Sequence, residues 1–208
     1  DKWSAAIRLT AAPINKEGHV LHLGSSYTYQ QTSEPVTFTT NPEIKLREDF
    51  KLFTSQKNID SKYYHVLGGE VSYLHGPFQV EADYLHNFIE KDSIDFNGWH
   101  VQANYILTGE SRTYDYTDGK FGRIKMSDGK SAWQLAYRHS EINLNHDKAP
   151  GTEGSSDSIA LNWYVDANIR ATLSWVHPRI KNYTTEDDNN LPKENKYEFF
   201  TLRLQTIF

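Results

Sequence analysis

Apolar and polar residues alternate with a period of two along most of the chain, and no stretch keeps a convincing 3.6-residue repeat. The alternation predicts about nine β-strands, near residues 3–12, 18–31, 62–75, 77–89, 97–108, 131–144, 156–165, 168–177 and 196–208. In the first, Trp3, Ile7 and Leu9 share a face opposite Ser4, Arg8 and Thr10. The second sets Leu21, Leu23, Tyr27 and Tyr29 against His22, Ser26, Thr28 and Gln30. In the fourth, Phe78, Val80, Ala82, Tyr84 and Phe88 oppose Gln79, Glu81 and Asp83, and in the fifth Trp99, Val101, Ala103, Tyr105 and Leu107 oppose His100, Gln102 and Asn104. The final stretch, FFTLRLQTIF, sets Phe200, Leu202, Leu204, Thr206 and Phe208 against Arg203 and Gln205.

Connections alternate in length. Short ones fall at 13–18, 75–78 and 165–168, and long charged ones at 32–61, 145–155 and 178–195. Short turns at one end and long loops at the other match an outer-membrane β-barrel, whose outside is apolar and whose lumen is polar. Two connections depart from the rule: residues 90–96 are short for an outside loop, and residues 109–130 are long for an inside turn. All five tryptophans (Trp3, Trp99, Trp133, Trp163 and Trp175) fall near predicted strand ends on the apolar face. Two aromatic girdles are expected there in a membrane barrel, whereas a soluble sandwich would hold its tryptophans mid-strand in a shared core. Phe208 would then anchor the outer face at the periplasmic rim, and Arg203 would face the lumen.

Composition narrows the alternatives. The chain has 208 residues, 38% of them hydrophobic, and no apolar run approaches the length of a spanning helix. Cysteine is absent, which excludes a disulfide framework and thiolate metal sites, and the net charge of −5 argues against nucleic acid as partner. No N-terminal stretch looks like a signal peptide. An odd strand count cannot close as an ordinary bacterial barrel. The nine strands are therefore expected to be the C-terminal part of one larger barrel domain, with residues 1–208 all belonging to it.

Several stretches then line up with one family. YILTGESRTYDY (105–116), HGPFQVEADY (75–84), AWQLAYRHSEINLN (132–145), LNWYVDANIRATLSW (161–175) and APINKEGHVLHLG (12–24) resemble, in order, signatures of the phosphate-selective porins O and P. The resemblance implies a sixteen-stranded trimeric porin of the bacterial outer membrane, of which these would be the last nine strands. It further implies that residues 109–130 and 32–61 fold inward to narrow the pore, with arginines and lysines guiding phosphate.

An anion path needs cations without adjacent carboxylates, and arginine suits phosphate because its planar fork engages two oxygens. On the predicted polar strand face stand Arg8, Arg138, Arg170 and Arg203, opposed by Glu70, Glu81 and Asp83, so the wall alone is nearly neutral. The 109–130 segment offers Arg112, Lys120, Arg123, Lys125 and Lys130 against Glu110, Asp115, Asp118 and Asp128, with Arg123 and Lys125 its foremost pore-lining candidates. The resemblance departs at VTFTTNPEIKLR (36–47). Thr37, Thr39 and Asn41 stand where tight phosphate binders carry arginines, and Lys45 and Arg47 come only afterwards. Part of a cationic ladder is absent, which points to weak or altered anion selectivity.

Other chemistry is poorly supported. The nine histidines show no strand-face pair suggesting zinc, no nucleophile elbow or phosphate-cradling glycine loop is present, and EDDNN (186–190) reads as an exposed loop rather than a calcium site. The expectation is a passive diffusion pore for small hydrophilic solutes, anions such as phosphate foremost among them, with no enzymatic step and no cofactor or metal. Its partners would be membrane lipid, lipopolysaccharide and two further copies of itself. The rivals are a general or differently selective porin, an outer-membrane barrel enzyme with a rim constellation of His and Asp, Glu or Ser, and a soluble β-sandwich binding module.

Overall fold

In the computed structural model the described residues are 3–41, 43–44, 51–126, 130–181 and 194–206. Lys45, Arg47, Asp128, Phe208 and the 186–190 segment lie outside them. In chain order the strands are β1 (Ser4–Lys16), β2 (His19–Gln31), β3 (Thr39–Thr40), β4 (Phe53–Thr54), β5 (Tyr63–His75), β6 (Phe78–Ile89), β7 (Ile94–Ile106), β8 (Arg112–Asp115), β9 (Lys120–Ile124), β10 (Ala132–Asn143), β11 (Glu153–Tyr164), β12 (Ile169–Lys181), β13 (Glu194–Lys196) and β14 (Phe199–Thr206). One antiparallel sheet runs β1-β2-β5-β6-β7-β10-β11-β12, and both β13 and β14 pair with β12. β1 and β14 are not paired with each other, so the sheet is open.

All nine expected strands are present, the last as two pieces interrupted at Tyr197 and Glu198. Their bounds differ in instructive ways. β1 continues past Pro13 to Lys16 because a register irregularity between Ala11 and Ile14 lets the chain absorb a residue that donates no hydrogen bond. β7 begins at Ile94, after a 3-10 turn at Lys91–Ser93, and β12 runs through Pro178 to Lys181. Trp99 and Trp175 therefore lie inside longer strands rather than at strand ends, which corrects the expectation for two of the five tryptophans.

The burial pattern is inverted relative to a soluble protein. Leu67, Leu135, Tyr137, Leu173 and, at 75% exposure, Leu204 stand out on one face, while Gln79 (1%), Asn104, Gln134, Ser72 and His22 are buried on the other. Several of these buried groups are hydrogen-bonded on that face: Gln79 Nε2 donates to Ser72 Oγ at 3.0 Å, and Asn162 Nδ2 and Tyr164 Oη donate to Gln134 Oε1 at 3.2 and 2.9 Å. Aromatic rings gather on the apolar face. Trp133 and Trp163 are register partners near the short-turn end and stack at 5.5 Å, while Trp3 and Tyr29 meet at 4.6 Å at the other end.

Two segments fold onto the polar face. The long loop between β2 and β5 carries the β3–β4 ribbon and packs Leu52, Phe53 and Ile59 against Ile89, Ile94, Phe96, Leu144 and Ile180 at the long-loop end of the sheet. Thr54 and Thr152 tie it to β11 through a backbone bond of 2.9 Å from Thr152 N to Thr54 O. The β8–β9 hairpin packs Ile124 and Met126 against Ile106, Ala132 and Tyr164 at the short-turn end. Each buried side chain of this kind is worth about 1.5–3 kcal/mol. The unusual length of the 109–130 connection thus reflects an inward hairpin with its own small core.

Candidate functional site

The hairpin and the loop approach one another over the polar face, and between them lies a cavity of about 860 Å3. Five arginines line it: Arg112 and Arg123 from the hairpin, Arg138 from β10, Arg170 from β12 and Arg203 from β14. Among the described residues two carboxylates join them, Glu43 from the loop and Asp166 from the β11–β12 turn. Asp166 is engaged with its own turn, accepting from the backbone N–H of Asn168 and Ile169 at 2.7 and 2.9 Å.

Each arginine is held differently. Arg112 donates to Gln79 Oε1 and to the Gly122 carbonyl, both at 3.0 Å, with its guanidinium 5.9 Å from the Phe121 ring centroid. Arg123 Nη1 donates to the Ala167 carbonyl at 3.1 Å, joining the hairpin to the β11–β12 turn. Arg170 Nη2 donates to Gln205 Oε1 at 2.7 Å and lies over Tyr164. None of these bonds neutralises the cation. Arg203 is exposed, and among the described residues no hydrogen bond or ion pair reaches it. Among the described residues Arg138 is the one of the five in an ion pair, with its Nε 3.1 Å from Glu43 Oε2.

The other candidates sit elsewhere. Arg8 Nη2 lies 2.5 Å from Glu70 Oε1 and also donates to the Gly119 carbonyl at the hairpin tip, at 3.3 Å. Lys120 pairs with Asp118 on the exposed tip. Lys125 Nζ lies 2.6 Å from Glu17 Oε1, linking the hairpin base to the β1–β2 turn. That hydrogen bond and charge hold the Glu17 carboxyl below its usual value and push the Lys125 ammonium above its own. Lys130 is exposed. Of the three positions where arginines are missing, Asn41 lines a smaller cavity of about 340 Å3, together with Glu43, Asp83, His100 and Arg138. Thr37 instead accepts the Asn58 backbone N–H at 3.0 Å.

Two features escape sequence reasoning. Glu43 lines both cavities although it comes from a loop 97 residues from Ser140, whose hydroxyl donates to it at 2.6 Å. His19 and His75 are cross-strand register partners with ring centroids 5.0 Å apart, a pairing set by strand register rather than by any local spacing. His19 Nε2 lies 3.2 Å from Tyr73 Oη, and no group of three or more metal-ligating side chains forms among the described residues.

The arrangement can hold or pass an oxyanion. Fixed guanidinium groups bonded to neutral acceptors, as Arg112, Arg123 and Arg170 are, keep their charge. The family described as phosphate-selective porin O and P matches residues 3–208. Porin O of Pseudomonas aeruginosa is similar at 25% identity over 232 residues, covering 95% of this chain and 51% of the relative. The chain thus spans about half the length of that protein. The sheet, the inward segments and the matched residues lead to one assignment: the chain belongs to the phosphate-selective porin O and P family, whose members are bacterial outer-membrane porins.

Proposed function

We propose that these strands are part of a closed transmembrane barrel, in the family's pattern a sixteen-stranded trimer, that lets small hydrophilic anions such as phosphate diffuse passively across the outer membrane. The exposed apolar face meets lipid and lipopolysaccharide, and the polar face lines water. Strands of 13 residues suit this role. At about 3.3 Å per residue and a tilt of about 45° they span roughly 30 Å.

The observation that carries the anion preference is the clustering of Arg112, Arg123, Arg138, Arg170 and Arg203 around one cavity that, among the described residues, receives two carboxylates, Glu43 and Asp166. Fixed positive charge at a narrowing raises the local concentration of anions without any cofactor or catalytic step. Selectivity is modest rather than tight, because Arg138 is already ion-paired and Thr37, Thr39 and Asn41 supply no charge.

The test is the full-length protein in a planar bilayer, with the reversal potential measured in a KCl gradient and phosphate then titrated against the chloride current. An anion-directed reversal potential with partial block at millimolar phosphate is expected. Cation preference would overturn the anion reading, and absence of channels from folded protein would overturn the pore itself.

A further inference from the structure

Glu43 is an unusual presence among the cavity arginines. Its backbone is in the left-handed region, with φ 58, a conformation uncommon for a residue with a side chain. That conformation delivers its carboxylate to β10, where Oε1 accepts from Ser140 Oγ at 2.6 Å and Oε2 lies 3.1 Å from Arg138 Nε. Glu43 lines both the 340 Å3 and the 860 Å3 cavities, as Arg138 does, so the pair stands on the border of both. The fit to Arg138 is imperfect. The buried Nε lies close enough for Coulombic attraction, yet its N–H is not aligned on an acceptor. A buried guanidinium nitrogen without an aligned partner is a position that a better-placed oxyanion would take.

We infer that Glu43 is a tethered competitor for solute anions at Arg138. Its carboxylate occupies the place that a phosphate oxygen would take, and Ser140 holds it there. A solute must displace a carboxylate that is always nearby, so affinity at the waist is weakened and fast release is favoured. The same competition sets specificity. A phosphate dianion, with three acceptor oxygens and higher charge, displaces the carboxylate more readily than chloride or a monocarboxylate does. Glu43 is thus a specificity-determining residue, and the inference rests on the pore reading for its role in transport while its binding claim can be measured separately.

The experiment uses the full-length protein in detergent, with inorganic phosphate as probe and binding followed by phosphorus NMR line broadening. Glu43→Gln keeps the size and the Ser140 contact but removes the competing charge. It should bind phosphate about tenfold more tightly, equivalent to ~1.4 kcal/mol. Ser140→Ala should shift binding in the same direction by less. In an Arg138→Gln background, Glu43→Gln should lose its effect, because the contested cation is gone. Unchanged or weaker phosphate binding by Glu43→Gln, or an equal gain in the Arg138→Gln background, would overturn the inference. So would absence of phosphate binding by Glu43→Gln up to roughly 0.1 M. Channel recordings on the same variants report on the pore reading independently, since loss of conductance leaves the NMR result standing.

Discussion

Gly119 at the hairpin tip offers the most direct control over how the lumen is narrowed. Its φ is +57, and a Cβ built there would lie 2.4 Å from Thr10 Oγ1 and 3.1 Å from Thr10 Cβ on β1. Gly119→Ala therefore incurs two costs: about 1–2 kcal/mol for a left-handed alanine, and about 1–3 kcal/mol for overpacking against Thr10. The base of the hairpin is fixed by Ile106, Ile124 and Ala132, so the cost falls on the tip. The tip should lift from β1, and Arg8 should lose the Gly119 carbonyl while keeping Glu70. Taking ~2 kcal/mol as the minimum, the lifted population rises by about 30-fold. Tryptic cleavage after Lys120 in the full-length protein should accelerate accordingly, as cleavage tracks the open population. Adding Thr10→Ala should restore only the packing part. A wild-type cleavage rate for Gly119→Ala would refute the docking of the tip against β1.

Three further outcomes are expected. Arg203→Gln removes the cation without a partner among the described residues and should weaken phosphate block by about 3–10-fold, on the scale of one typical net hydrogen bond, whereas Arg8→Gln, by exposing Glu70, should shift the reversal potential toward cations. The Glu17–Lys125 pair contributes above the ordinary carboxylate range and is lost as pH falls through the lowered value for Glu17, so proteolysis of the hairpin by an acid-active protease should rise as the pH drops below the ordinary carboxylate range, and Glu17→Gln should abolish that dependence. Trp133 and Trp163 lie on the lipid-facing side of the proposed barrel, and their fluorescence in reconstituted protein should be quenched by lipids brominated high on the acyl chain; unquenched emission would place that face away from lipid.

The strands were legible because each must present one apolar and one polar face, and period-two alternation records that demand directly. The apolar set from Phe200 to Leu204 opposite Arg203 was enough to orient β14. Strand ends were less legible. Pro13 and Pro178 look like breakers, yet one sits at a register irregularity and the other near the edge beside β13. The lining of the cavity was only partly legible. Arg138, Arg170 and Arg203 follow from strand parity, but the pairing of Arg138 with Glu43 depends on a loop whose path is set by Phe53 and Ile59 packing across the sheet, which no local pattern encodes. Lys120 and Lys125 look like neighbours of Arg123 in sequence, but the hairpin turns them toward Asp118 and Glu17 instead.

The two apolar clusters have a consequence for how such a pore can change over generations. Each inward segment is fastened by its own greasy footing, Phe53 and Ile59 for the loop and Ile124 for the hairpin, at opposite ends of the polar face. The charged groups between them carry little of the mechanical load. On the proposed reading, a single replacement at Arg170, Arg203 or Glu43 would retune which solutes pass while leaving the scaffold standing, so a lineage could explore new nutrients without first having to relearn how to fold.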